Sequence, residues 1–270
     1  VQSQAAFDRI WLSLSLVVVQ FEQLTALAAS TSRLQQLLST IDQRNQQHPS
    51  KSEIQIFDQP EIAVNHLTLQ LPQASVEHPQ ALLTDLSFIV NESLLITGPS
   101  GVGKSSLAKA IAGLWESGEG TISYPKGNIL FLPQQPYMTL GTLRQQLLYP
   151  DGEQATTTVS DRDLLMILKA VQLPDLDNLN QLTDWSGQLS TGEQQRLAFA
   201  RLLIKKPTYA LLDEATSALS IQQEKDLYQQ LAKTNTTFIS IGHRDSLLTY
   251  HPQVLTLLDS KTWTLKNSEA

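Results

Sequence analysis

The chain has no cysteine among its 270 residues. That absence excludes disulfides, thiolate nucleophiles and cysteine-ligated metals, and it is compatible with a reducing compartment. Cationic residues are few: 19 Lys and Arg face 26 Asp and Glu, a net charge of −7. Nucleic-acid binding depends on cations that neutralise phosphates, so this balance argues against a DNA or RNA partner. Long hydrophobic runs are scarce as well. The concentrated run Ile10–Val19 stops at Gln20 and Glu22, short of the roughly 20 apolar residues of a full membrane span. Methionine occurs only at Met138 and Met166, and the first residue is Val1, so a piece of a longer protein is expected. What remains is ordinary for a folded body: 41% hydrophobic and 17% charged residues, enough for a sizeable core.

Residues 1–41 differ from the rest. After the apolar run, Leu24, Leu27, Ala28, Leu34, Leu37, Leu38 and Ile41 continue at near-helical spacing. No basic leader or small-residue cleavage site frames the run, which argues against a signal peptide. Two readings stay open, a packed amphipathic helix and the end of a membrane helix leaving through the interface. Residues 42–60 are polar and punctuated by Pro49 and Pro60, which predicts a linker.

From Glu61 onward short apolar strands alternate with helical stretches. Strands are predicted at Ile62–Leu69, Leu86–Val90, Ser93–Thr97, Ile129–Leu132, Tyr209–Leu212, Thr237–Ile241 and Val254–Leu258, and a helix over 104–112. The pattern predicts an α/β fold with a mostly parallel sheet covered on both faces. Residues 139–195 are helical and strand-poor, which predicts an inserted helical subdomain; Ser160 with Asp163 predicts a capped helix there. Residues 261–270 read as a tail.

"GPSGVGKS" carries Gly98, Gly103, Lys104 and Ser105 after a strand and before a helix, the context of a phosphate-binding loop. Its glycines let successive amides turn inward as a nest. The binding residues predicted here are Gly98, Pro99, Ser100, Gly101, Val102, Gly103, Lys104, Ser105 and Ser106. Lys104 would reach the β- and γ-phosphates and Ser105 would hold Mg²⁺. The segment "YALLDEATSALS" runs four apolar residues into Asp213 and Glu214. Asp213 would bind Mg²⁺, and Glu214 would orient and polarise the attacking water. A third stretch, "LSTGEQQR" at 189–196, reads as a helix start with Ser190 as N-cap and Glu193 closing a capping box. Gly192 inside that first turn costs about 1 kcal/mol against alanine, which suggests that something large and polar approaches the amides there.

Gly98–Ser105, Gln134 in "LPQQPY", "LSTGEQQR", "LLDEATSALS" and His243 in "ISIGHR" resemble, in order and context, the ATPase domains of ABC transporters. The set covers most of residues 61–258. The finer wording is similar to the D subfamily, half-transporters of the peroxisomal fatty-acyl type with bacterial relatives described as uptake systems for peptides or cobalamin. The resemblance implies a P-loop ATPase core, an antiparallel β subdomain, a helical subdomain, and a membrane domain ahead of residues 1–41. It also implies that two domains pack head to tail, as a homodimer or heterodimer, with each ATP held between the loop of one chain and Ser190, Gly192 and Glu193 of the other. Gln134 then senses Mg²⁺ and the membrane domain. His243 contacts the γ-phosphate and positions the water. The implied partners are a second ATPase domain, the chain's own or a partner's membrane domain, and the substrate transported there.

Three features depart from the family pattern. Thr191 and Glu193 stand where glycine and glutamine are common, although the glutamate is familiar in the D subfamily. Ser220 stands where aspartate is usual, which leaves a helix cap with Gln223 but removes a charge at the dimer seam. No aromatic for stacking on adenine is evident, and only His78 falls in the relevant stretch. A soluble ABC ATPase acting on nucleic acid or the ribosome fits poorly with a single P-loop and acidic charge. A silent regulatory domain fits poorly with Glu214 and His243 both present. The trio Lys104, Glu214 and His243 is therefore expected to carry ATP hydrolysis.

Overall fold

The computed structural model describes residues 2–46, 54–71, 81–151 and 159–267. The chain divides into two compact units, residues 1–51 and 52–270. The first contains one helix, α1 (Gln2–Gln46). Its apolar side chains Trp11, Phe21, Leu24, Leu27, Leu34 and Leu38 are exposed. Among the described residues no helix is long and apolar enough to cross a membrane.

The second unit begins with β1 (Ile54–Asp58), β2 (Ile62–Gln70) and β3 (Ala81–Val90). Then come β4 (Leu94–Thr97), α2 (Lys104–Ile111), β5 (Gly118–Tyr124) and β6 (Ile129–Leu132). The helical insertion holds β7 (Gly141–Thr142), α3 (Leu143–Leu148), α4 (Asp161–Ala170), β8 (Leu182–Thr183) and α5 (Trp185–Gln188). It leads into α6 (Thr191–Lys205), β9 (Tyr209–Asp213), α7 (Ile221–Leu231) and β10 (Thr237–Ile241). A 3-10 segment, Asp245–Tyr250, precedes β11 (Gln253–Leu257) and β12 (Trp263–Asn267).

The larger sheet has the order β12-β11-β4-β10-β9-β6. Its neighbours run parallel except the β11–β12 pair. Alternation along these strands feeds two cores. Leu95, Ala210, Leu212 and Phe238 face α6, α7 and the helical insertion, with Leu197, Phe199 and Leu227. Leu94, Ile96, Leu211, Ile239, Ile241 and Leu257 face α2 and the smaller sheet, with Leu107, Ile111 and Ile62. A sheet covered on both faces needs such runs of apolar residues, which is why these strands read as blocks rather than as alternating patterns.

The smaller sheet, ordered β1-β5-β2-β3, is antiparallel except for the β1–β5 pair. Two expected boundaries change. The predicted linker 42–60 holds the last turn of α1 and all of β1, because Ile54 and Ile56 pair with Gly120 and Ile122 of β5. The predicted tail 261–270 holds β12, an edge strand paired with β11. The strand β5 was also not expected; its sequence, GEGTISY, has two glycines and too little alternation to signal a strand.

Candidate functional site

Four parallel strands of the larger sheet end at one edge and deliver the chemistry. In α/β sheets ligands bind beyond the carboxyl ends of the strands. β4 leads into residues 98–103, β6 into Gln134, β9 into Asp213–Glu214, and β10 into His243.

Residues 98–103 form a turn between β4 and α2. Gly98 has φ +139, and a Cβ there would lie 2.1 Å from the Leu257 carbonyl oxygen, so no other residue fits. Gly103 is the N-cap of α2 in the left-handed region, with φ +107 and no side-chain cap bond. The first-turn amides of α2 therefore have no helical partner of their own and aim into the loop. The buried Lys104 donates through Nζ to the carbonyls of Gly98 and Pro99, both at 2.9 Å. Burial lowers its pKa, while the nearby charges of Glu214 and Asp213 oppose that shift.

Alternation places Asp213 after Leu212, on the α2 face of β9. Ser105 Oγ accordingly donates to Asp213 Oδ1 at 2.9 Å. Burial pushes the Asp213 carboxyl up, with the Ser105 bond pulling down and the Glu214 charge pushing up again. Glu214 would alternate away from this face. Instead it adopts φ +48, a left-handed conformation unusual for a residue with a side chain, and the turn brings its carboxylate back to the site. Its amide donates to the Ile241 carbonyl at 3.2 Å, tying the ends of β9 and β10 together. Gln134 Nε2 donates to Glu214 Oε2 at 2.9 Å, and His243 Nε2 lies 3.8 Å from Glu214 Oε1.

The structure thus brings Lys104, Ser105, Gln134, Asp213, Glu214 and His243 together at one sheet edge. Ser190, Gly192 and Glu193 start α6 and have no hydrogen bond to residues 98–106 among the described residues. They form the predicted capping box: Ser190 Oγ accepts from the Glu193 amide at 3.4 Å, and Ser190 N donates to Glu193 Oε2 at 2.9 Å. Ser190 Oγ also donates to the same carboxylate oxygen at 2.6 Å. These bonds hold Glu193 below the usual carboxylate range. Gly192 has an intrachain reason as well, since a Cβ there would press on Ala218 O at 3.3 Å and Leu219 Cδ2 at 3.4 Å. Ser220 caps α7 in a full box with Gln223. Ser160 caps α4, but Asp163 reaches its hydroxyl rather than its amide, so the box there is half formed. His78 lies outside the described residues.

Sequence reasoning missed the groups that hold these segments. Arg244, next to His243, donates to the carbonyls of Leu219 at 2.9 Å and Ser217 at 3.2 Å. It also pairs with the buried Glu224 at 3.3 Å, which accepts from Thr216 and Ser246. The buried Gln195 bonds to the segments around Gln134 and Ser217. A glutamine four residues before Phe199 on the buried stripe of α6 was the available signal.

A phosphate nest backed by a lysine, an acidic strand end and a histidine define a P-loop ATPase domain. The chain belongs to the ABC transporter family, whose profile matches residues 83–217. It is 43% identical, over 97% of its length and 41% of the relative's, to an uncharacterized ABC transporter ATP-binding protein of Synechocystis sp.. It is 35% identical to ABC transporter D family member 2, chloroplastic, of Arabidopsis thaliana, over 100% of the chain and 48% of that protein. Over 72% of the chain and 35% of the relative it is 42% identical to the lysosomal cobalamin transporter ABCD4 of Homo sapiens. A bacterial Atm1-family ABC exporter with ATP bound superposes with a TM-score of 0.65 at 23% identity, over 82% of this chain and 41% of that one. The chain spans less than half the length of these relatives. Family membership makes it an ATP-binding domain.

Proposed function

We propose that this chain is the ATP-hydrolysing domain of an ABC half-transporter, driving a substrate across a bacterial inner membrane or an organelle membrane from the cytoplasmic side. Residues 1–41 are read as the end of the last membrane helix and its extension, contacting the chain's own or a partner's membrane domain. Two such domains, identical or different, close head to tail around two ATP molecules.

In this reading the amides of residues 98–106 and Lys104 hold the phosphates, Lys104 exchanging its two loop carbonyls for them. Ser105, Asp213 and Gln134 offer a hydroxyl, a carboxylate and an amide carbonyl, an oxygen-only set that fits Mg²⁺ completed by phosphates and water. No group of three or more His, Cys, Asp or Glu among the described residues competes as a metal site. Mg²⁺ when bound neutralises charge on the β- and γ-phosphates. Glu214, aimed by its left-handed backbone and by Gln134, accepts a hydrogen bond from the attacking water, and His243 steadies the same water. The α6 start of the second chain supplies Ser190 and amides at a helix tip carrying about half a positive charge. Loss of the γ-phosphate removes the bridge between the halves, and their separation is the stroke passed to the membrane domains.

The observation that carries the reading is the division of labour within one chain. Six of the expected groups converge on one sheet edge, while Ser190–Glu193 form a finished helix tip that makes no bond to the phosphate loop. Mixing a Ser190→Arg chain with a Lys104→Ala chain tests it. Each variant alone should lack paired sites, and the mixture should regain one intact site per heterodimer, read as ATP hydrolysis restored to about half the parental rate or less. A mixture as inactive as its components would overturn the shared-site reading.

A further inference from the structure

We propose that Gln195 is a positioning residue for Gln134 and Glu214, an inference that rests on the hydrolytic reading above. Gln195 is fully buried, at 0% exposure, on the first turns of α6. Its side-chain amide uses both donors and its acceptor oxygen. Nε2 donates one hydrogen to the Gln134 main-chain carbonyl at 3.0 Å and the other to Ser217 Oγ at 3.1 Å. Oε1 accepts from the Ala218 amide at 3.0 Å. The orientation is fixed, because a flipped amide would set acceptor against acceptor at Gln134 and donor against donor at Ala218.

These bonds close a circuit. The Ser217 amide donates to the Glu214 carbonyl at 3.0 Å, so Gln195 holds the turn that begins at Glu214. It also holds the main chain of Gln134, whose side chain returns to Glu214 Oε2 at 2.9 Å. Gln134 itself is exposed on the loop after β6. Its direct bond to Glu214 is exposed to water, whereas the bonds through Gln195 are part-buried and start from a fully buried amide, which is costly to leave unpaired. The distance between the Gln134 amide and the Glu214 carboxylate is therefore set from below, by a fully buried side chain.

Removing Gln195 should let the Gln134 segment drift off Glu214 while leaving the phosphate nest intact. Gln195→Leu keeps the volume and deletes all three bonds. In ATPase assays on the 270-residue chain we expect kcat to fall at least tenfold, with KM for ATP and the number of nucleotides bound per chain within twofold of the parent. In a Gln134→Ala background the same substitution should add less than a twofold further loss, since both changes break one circuit. A merely structural role predicts the opposite: fewer nucleotide-binding chains, unchanged turnover per binding chain, and losses that multiply with Gln134→Ala. That result would overturn the proposal. Should Gln195→Leu fail to fold, Gln195→Glu, which keeps the acceptor for Ala218 and gives up the amide donors, takes the same measurements with the same two outcomes. A parent chain that does not hydrolyse ATP overturns the hydrolytic reading and this inference with it. A hydrolysing parent whose Gln195 variants keep parental kcat overturns this inference alone.

Discussion

Glu214 holds two properties in opposition. Its carboxylate sits between Gln134 and His243 only because its backbone occupies φ +48, where a side chain costs about 1 kcal/mol. Strain of this kind fits the role proposed for Glu214, in which stability is given up for the aim of the carboxylate. Glu214→Gly should therefore raise the unfolding free energy in urea by up to about 1 kcal/mol while abolishing ATP turnover. A drop in stability would show that the bonds to Glu214 outweigh the strain. Type and spacing made Lys104, Ser105, Asp213 and Glu214 visible in the sequence, because phosphate and metal chemistry demand those groups in that order. Gln195 and Arg244 were not visible, since their worth lies in partners distant along the chain.

At the scale of elements, helix starts were legible where the capping residue and its reciprocal partner lie three apart. Ser190 with Glu193 and Ser220 with Gln223 both form full boxes. The strands β1, β5 and β12 were not legible, because they take their identity from the strands they pair with. One buried chain of hydrogen bonds joins three elements and carries a pH dependence. Tyr228 on α7 donates to Ser240 on β10 at 2.9 Å, and His251, just before β11, bonds Ser240 at 2.8 Å and the Leu247 carbonyl at 2.7 Å. The carbonyl can only accept, so Nδ1 carries the proton and Nε2 accepts from Ser240, which fits a neutral ring. Burial pushes the His251 pKa from 6.5 down to about 4. An unfolded chain takes up this proton near pH 6.5 and the folded chain only near pH 4, so the stability is intact above 6.5 and drains as pH falls toward 4. The full loss is about 3 kcal/mol. Urea unfolding across that window should be steeper in pH for the parent than for His251→Gln, and equal slopes would refute the assignment.

On the scale of the whole molecule, the proposed site, divided between two chains, makes nucleotide state and assembly one equilibrium. Glu214→Gln, which keeps the shape and removes the base, should bind ATP, fail to hydrolyse it, and elute as a dimer only when ATP is present. A variant that hydrolyses at the parental rate would remove Glu214 from its role, and one that binds ATP yet stays monomeric at high concentration would remove the shared site. The amino-acid sequence by itself determined the family, the fold class and the address of the candidate site: a glycine-lined nest needs particular residues at fixed short spacings, and apolar runs ending in polar groups place those residues at strand ends. Tertiary structure alone decided which strand ends lie side by side, how Glu214 turns back toward Asp213, and which buried amide braces them. Those outcomes depend on contacts between residues tens of positions apart, such as Gln195 with Gln134 or Gly98 with Leu257, and local patterns carry no record of such distances.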